Sequence, residues 1–323
     1  MDPATDPLTT DRQTAHPPVT QPPAAGAPDA TGRRELLPVM RALLTVFSVL
    51  TALGFLALFV LSARTDEVFA WTIQPPVTAA FLGAGYAAGF TLVVLSLRDP
   101  VWSHSRVPVL TVLVFTLLTL VATLVHADRF HFAAEFADAP LLARGAAWFW
   151  TAVYVLIPLG ILAALAFQER APGTDPPRRY PVPVVLRVAL AVESVVLFAV
   201  GAAISVTPST ATTLWPWTLT PLTGRVVGAW LVAFGLATAL AALAGDLERL
   251  RTATIAYTLF GALQLVVVLL HREHVAWDRP VAWLYVAVAV AVVLTGAEGW
   301  RRAPVPEHAG SRRAEARHRA AGS

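Results

Sequence analysis

Histidine and carboxylate recur together in this chain at a fixed interval. His126 and His271 are 145 positions apart, and each is followed two residues later by an acid, Asp128 and Glu273. Each also lies twenty residues beyond an arginine, Arg106 and Arg251. Twenty residues of helix rise about 30 Å, so each of these helices runs from an arginine at one boundary to a histidine at the other. Imidazole with carboxylate is metal-ligand chemistry, and bundles build cofactor sites from facing helices. His126 and His271 are therefore candidate ligands for a divalent metal or a haem. The plainer reading is a histidine that ends a span, where its polar tip reaches water. His131 and His274 lie nearby, but no helical pair of histidines four apart with an acid between them is present.

Three other features invite chemistry. Glu193 is the acid placed clearly inside an apolar run, six residues beyond Arg187. A carboxylate there costs about 2.5–3.5 kcal/mol on insertion scales and marks a functional site by default. It is a candidate for proton handling, or for a hydrogen bond to a neighbouring helix. The segment Trp215-Pro216-Trp217-Thr218-Leu219-Thr220-Pro221-Leu222-Thr223-Gly224-Arg225 opens one apolar run. Its partner, Trp71-Thr72-Ile73-Gln74-Pro75-Pro76-Val77-Thr78, opens another. Thr220 before Pro221 fits an N-cap followed by the first helical position, and Trp71 and Trp217 fit the interfacial aromatic belt. Two such helix N-termini, with Arg225 adding to their field, would alternatively face an anionic ligand; Ala80 stands at the position matching Arg225 and breaks that symmetry.

The elements that carry these residues come in two sets. Arg41, an apolar run and Trp71 return as Arg187, an apolar run and Trp217, 146 positions later. Gly83, Arg106 and His126 return as Gly228, Arg251 and His271 at an interval of 145. Arg144 and Trp148 return as Arg279 and Trp283 after a shorter loop. This register across polar and apolar positions predicts a tandem duplication. Apolar runs near 42–62, 77–97, 107–126, 146–167, 184–206, 222–243, 252–271 and 281–297 are each long enough to cross about 30 Å of hydrocarbon. Without period-two alternation they exclude a barrel. The predicted fold is all-α: a polytopic membrane protein of eight transmembrane helices, arranged as two tandem parallel four-helix repeats. Four spans per repeat, an even number, give both copies the same orientation.

The predicted organisation is a disordered tail over 1–36, a first repeat over 37–168, a linker over 169–183, a second repeat over 184–300 and a basic tail over 301–323. Gly85 with Gly89, and Gly201 with Ser205, are small residues four apart that would let helices approach closely. Tyr154, Gln264, Thr116, Thr119 and Thr123 are read as interhelical hydrogen-bonding groups, and Pro158 as a bend.

Charged residues are only 14% of the chain and hydrophobic ones 56%, well short of the charge of a soluble domain. The absence of cysteine excludes disulfides, thiolate metal sites and cysteine catalysis. All 24 basic residues are arginines. Eighteen of them fall in the tails and in the loops after the second, fourth and sixth runs, against six elsewhere. The positive-inside rule then places both termini in the cytoplasm. Because the basic residues flank apolar runs, the net charge of +3 is a topology signal and not a nucleic-acid footprint.

The Trp-Pro-Trp and Leu-Thr-Pro-Leu-Thr stretch of residues 215–223 resembles one found in uncharacterised multi-pass membrane proteins of actinobacteria. That resemblance implies a bacterial cytoplasmic-membrane location and carries no activity. The expected function is a small-ligand-binding or transport protein with its site between the repeats, and the expected partners are the lipid bilayer and a small molecule. A haem- or metal-binding redox protein or enzyme is the alternative, although the short, sparse outer loops argue against an enzyme. A non-catalytic scaffold is the third reading. No particular cofactor or oligomeric state follows from the residues.

Overall fold

A run of twenty apolar residues has one way to satisfy its backbone in lipid without partners, and that is a helix. The computed structural model describes residues 32–304 and contains eight such helices. They are α1 (Pro38–Phe55, continued by a π-helical turn over Leu56–Val60), α2 (Pro76–Arg98), α3 (Trp102–Val125) and α4 (Leu141–Gln168), then α5 (Val184–Val206), α6 (Pro221–Ala244), α7 (Leu247–Leu270) and α8 (Pro280–Arg302). All eight are long and apolar enough to cross a membrane. The chain is thus a multi-pass, all-helical protein suited to a lipid bilayer. Among the described residues there are no named strands, only isolated bridges.

Local chemistry sets where the helices begin. Proline occupies the start of α1, α2, α6 and α8, where its missing N–H is no loss. Thr220 and Thr223 form a reciprocal capping box at the head of α6, as the Thr220-Pro221 pair predicts. Gly245 closes α6 in the left-handed conformation, at φ 66°. Asp246 then caps α7 by accepting from the backbone N–H groups of Glu248 and Arg249 at 3.0 and 3.3 Å. This cap lets α7 start at Leu247, a turn before its apolar run. Pro158 lies inside α4, which continues across it.

Helices α2, α3, α6 and α7 form the centre, with α3 packed on α6 and α2 on α7. Each carries one outer helix: α1 lies on α2, α4 on α3, α5 on α6 and α8 on α7. The most apolar stretch of each outer helix is 28–39% buried, against 44–67% for the central four. The exposed remainder of the outer helices is apolar, as with Val188, Val192 and Val195 on α5. These are lipid-facing stripes, since water would not tolerate so large a patch on a soluble protein.

At the arginine-rich end the connecting segments are tied together. Residues 32–36, the last of the stretch read as a tail, pair with the α2–α3 connection: the Leu36 amide donates to Pro100 O at 2.7 Å and the Trp102 amide to Arg34 O at 3.0 Å. In the same way the Val182 amide donates to Gly245 O at 3.2 Å and the Leu247 amide to Tyr180 O at 2.8 Å. Glu169, in the linker, accepts from Trp102 Nε1 and Arg106 Nε, both at 3.1 Å. Asp175 pairs with Arg106 Nη1 at 2.8 Å. The remainder of both predicted tails, residues 1–31 and 305–323, lies outside the described residues.

Candidate functional site

The central four helices leave a cavity of about 70 Å³ where they meet. Phe115 of α3 and Trp230 of α6 stack across it with ring centroids 3.9 Å apart, and Phe234 and Tyr257 extend the aromatic wall. Most polar side chains in the lining already have partners. Thr111 donates to Val107 O, Thr238 to Phe234 O and Thr254 to Arg251 O, all within their own helices. The Tyr257 hydroxyl donates to Glu193 Oε2 at 3.1 Å. Trp230 Nε1 is the exception, a buried donor without a partner. The space therefore offers a guest methyl and aromatic surface.

Glu193 lies beside this wall and is 7% exposed. Besides Tyr257 of α7 it accepts from Thr295 Oγ1 of α8 at 2.7 Å. The acid thus ties α5 to both helices of the neighbouring pair, in line with the interhelical hydrogen bond expected of it. Tyr257 and Thr295 carry no sequence signal that would single them out as its partners.

The other predicted site residues gather at the end opposite the arginine-rich one. His126 follows the last residue of α3, and its Nε2 sits 2.6 Å from Arg225 Nη1. A guanidinium can only donate, so this imidazole accepts and is neutral, with its proton on Nδ1. Burial and then the Arg225 charge hold its pKa below the ordinary value. Arg225 is thereby directed to His126 and, at 3.5 Å, to Pro221 O. Burial likewise lowers the pKa of His271, which follows α7. No hydrogen bond or ring contact joins His126 to His271 among the described residues; the ring that contacts His271 is His274, with centroids 6.3 Å apart.

Trp71 and Trp217 are 2% and 3% exposed, so they are core residues and not members of an interfacial belt. Other aromatic rings cover them: Trp217 packs on Trp215 and Tyr285 at centroid distances of 5.2 and 5.3 Å. Trp71 packs between Phe69 and Phe130 at centroid distances of 4.8 and 5.1 Å. Trp217 Nε1 donates to Thr78 Oγ1 of α2 at 2.9 Å. Trp148 and Trp283, at 64% and 61% exposure, are the tryptophans placed for a lipid boundary. His131 is 1% exposed, with Nδ1 donating to Phe69 O at 2.8 Å and Nε2 accepting from Thr72 at 3.0 Å, so both ring nitrogens are occupied.

Among the interhelical groups expected from sequence, Tyr154 bonds Tyr86 at 2.7 Å. Gln264 links α7 to Phe81 O of α2 and to Tyr285 of α8. Thr116 and Thr123 instead donate back to carbonyls of their own helix, an alternative always open to a helical threonine. Sequence reasoning missed the cavity wall. Its residues, Phe115 and Trp230 among them, stand within apolar runs that hide them.

No known protein family, curated protein or solved structure matches the chain. The functional reading therefore rests on the geometry above.

Proposed function

We propose that this is an integral protein of a bacterial cytoplasmic membrane, built from two fused, parallel copies of a four-helix unit. In this reading both termini are cytoplasmic, and the protein binds or transports a small apolar molecule held between the copies. Support for the duplication comes from backbone bonds as well as from residue types. The bonds Leu36 to Pro100 and Trp102 to Arg34 correspond, at 145 or 146 positions, to Val182 to Gly245 and Leu247 to Tyr180. His131 to Ala70 corresponds to Ala276 to Pro216 in the same register. The packing of α2 on α7 and of α3 on α6 is what a two-fold axis along the membrane normal would produce. The distribution of arginines supports the sidedness.

The observation that carries the ligand class is the central cavity, whose lining hydroxyls are all engaged within the protein. An ionic guest would lose its hydration there and find no counter-charge. At about 70 Å³ the space is roughly half of the 150 Å³ that admits benzene. It suits a molecule of a few heavy atoms or the terminus of an apolar chain. The test is to fill the cavity with Ala237→Phe in protein reconstituted in nanodiscs, and to quantify bound apolar molecules by extraction and mass spectrometry. Wild type should retain about one molecule per chain and the variant less than about a tenth of that. Wild-type protein that holds no such molecule, or a variant that keeps its full complement, would refute the assignment.

A further inference from the structure

His271, Glu273 and His274 each present one donor atom, and the three atoms lie within 4.8 Å of one another. They share the end of α7 and the 3-10 turn Arg272–His274 that follows it, closed by the His274 amide donating to His271 O at 3.0 Å. Residues three apart eclipse in a 3-10 turn, and the two imidazoles accordingly stand over one another with planes 29° apart. No hydrogen bond occupies either ring nitrogen of His271 among the described residues, whereas His104, His126 and His131 are each engaged by Asp99, Arg225, or Thr72 and Phe69. Glu273 and His274 also line an open cleft of about 440 Å³ beside Trp217.

The corresponding turn after α3 shows what such a place attracts. There Asp128 is paired with Arg129 at 3.1 Å, and His126 faces Arg225. Two guanidinium groups thus sit at the carbonyl end of α3, where the helix dipole favours positive charge. After α7 His274 stands at the position of Arg129 and Ala80 at that of Arg225, while Arg272, where the first turn has Ala127, leaves one guanidinium beside the three donors. The cation-attracting helix end is retained, while one arginine has become a third metal-ligating side chain. Arg279, which also borders the cleft, is turned to the carbonyls of Thr212 and Thr213 at 2.5 and 3.2 Å.

We propose that His271, Glu273 and His274 form a site for a divalent transition-metal ion, Zn²⁺ foremost, with a further coordination position open to the cleft. Two imidazoles and a carboxylate are a donor set that zinc accepts with one position left for water or substrate. Donors around a tetrahedral zinc stand about 3.4 Å apart, so side-chain rotation of about an ångström closes the set. The open position would take an oxygen ligand such as water or a carboxylate from the cleft. This site is separate from the apolar cavity and does not depend on what the cavity binds.

The experiment uses the full-length, tag-free protein in detergent, stripped with a chelator and titrated with Zn²⁺ by calorimetry. A parallel titration with Co²⁺ is followed through its visible d–d absorption. We expect one Zn²⁺ per chain. His271→Ala and His274→Ala should each weaken binding by about 100-fold or more, since loss of an outer-shell partner alone costs 10–100-fold. His126→Ala should leave the affinity unchanged, and unaltered thermal unfolding of the metal-free variants confirms that they fold. Absence of saturable binding, binding that persists in the His271→Ala/His274→Ala double variant, or equal loss in His126→Ala would each overturn the site.

Discussion

Replacing Gly83 with alanine tests how tightly the outer and central helices are joined. A Cβ on Gly83 would lie 2.7 Å from both the carbonyl carbon of Leu58 and the Cβ of Phe59, with the Phe59 amide nitrogen nearer still. Ordinary contact begins at 3.4 Å, so α1 must retreat by at least about 0.7 Å, and further to clear the Phe59 nitrogen. The obstacle is backbone, which no change of rotamer relieves. Helix association in lipid rests on van der Waals contact, and a gap of 0.5–1 Å forfeits about a quarter to a half of each contact along the pair. Gly89→Ala on the same helix is the internal control, because its Cβ would meet only Thr51 Cγ2, at 3.4 Å. Both variants gain the same helix propensity, about 1 kcal/mol, so their difference isolates the clash. Overpacking of this kind costs about 1–3 kcal/mol. At about 2–4 °C per kcal/mol, Gly83→Ala should unfold some 2–12 °C below Gly89→Ala. Tryptophan fluorescence during thermal unfolding in detergent reads this directly, given ten tryptophans in the chain. Equal melting temperatures for the two variants would refute the close approach. So would a Gly83→Ala protein more stable than wild type.

Two further outcomes follow from the polar groups. Glu193→Gln keeps an acceptor for Thr295 or Tyr257, whereas Glu193→Leu strands both hydroxyls in an apolar interior at a cost of about 1–3 kcal/mol. Thermal unfolding should therefore rank leucine below glutamine, and the reverse order would show that the acid is a net burden on the fold. The second outcome concerns pH. His126 is held below its ordinary 6.5 by burial and by Arg225, and His271 is lowered by burial. As pH falls, the unfolded chain takes up protons before the folded one. Stability is thus full above about 6.5, declines as pH drops through that value and levels off below the lowered folded pKa values. Melting temperatures compared at about pH 8 and about pH 5.5 should differ less in His126→Gln than in wild type, and an unchanged slope would contradict the Arg225 contact.

All eight spans were legible in the sequence because an apolar run of that length has a single solution in lipid. The head of α6 was legible too, since Thr220, Pro221 and Thr223 act on one another across three residues. Where readings diverged, the deciding groups were distant in the chain. Helix α7 begins a turn before its apolar run because Asp246 caps it while also accepting from the Arg179 and Tyr180 amides. Trp71 and Trp217 look like boundary residues in one dimension, and aromatic rings from elsewhere in the chain, Phe130 and Tyr285 among them, make them core. A cavity is a place where side chains fail to meet, and no pattern along a chain records it.

The backbone contacts of the two halves correspond more closely than their side chains do. Tyr257 and Val112 occupy matching places in the cavity wall. Behind Tyr257 stands Glu193, whose own counterpart is Phe47, another wall residue. A guest in the proposed seam would therefore meet Phe47 and Val112 on the first half and, on the second, the ring of Tyr257, whose hydroxyl is already given to Glu193. At the far end the halves differ again, with Arg225 and His274 in the second against Ala80 and Arg129 in the first. In the proposed duplication, matched backbone contacts would keep the two-fold packing, so those are the features expected to stay alike. Side chains that serve a ligand are under no such constraint, and one copy can diverge while the other remains a supporting wall. For the metal site proposed at the end of α7, substitution of His274 should weaken Zn²⁺ binding while substitution of its counterpart Arg129 leaves the affinity unchanged, as calorimetry of the two variants would show.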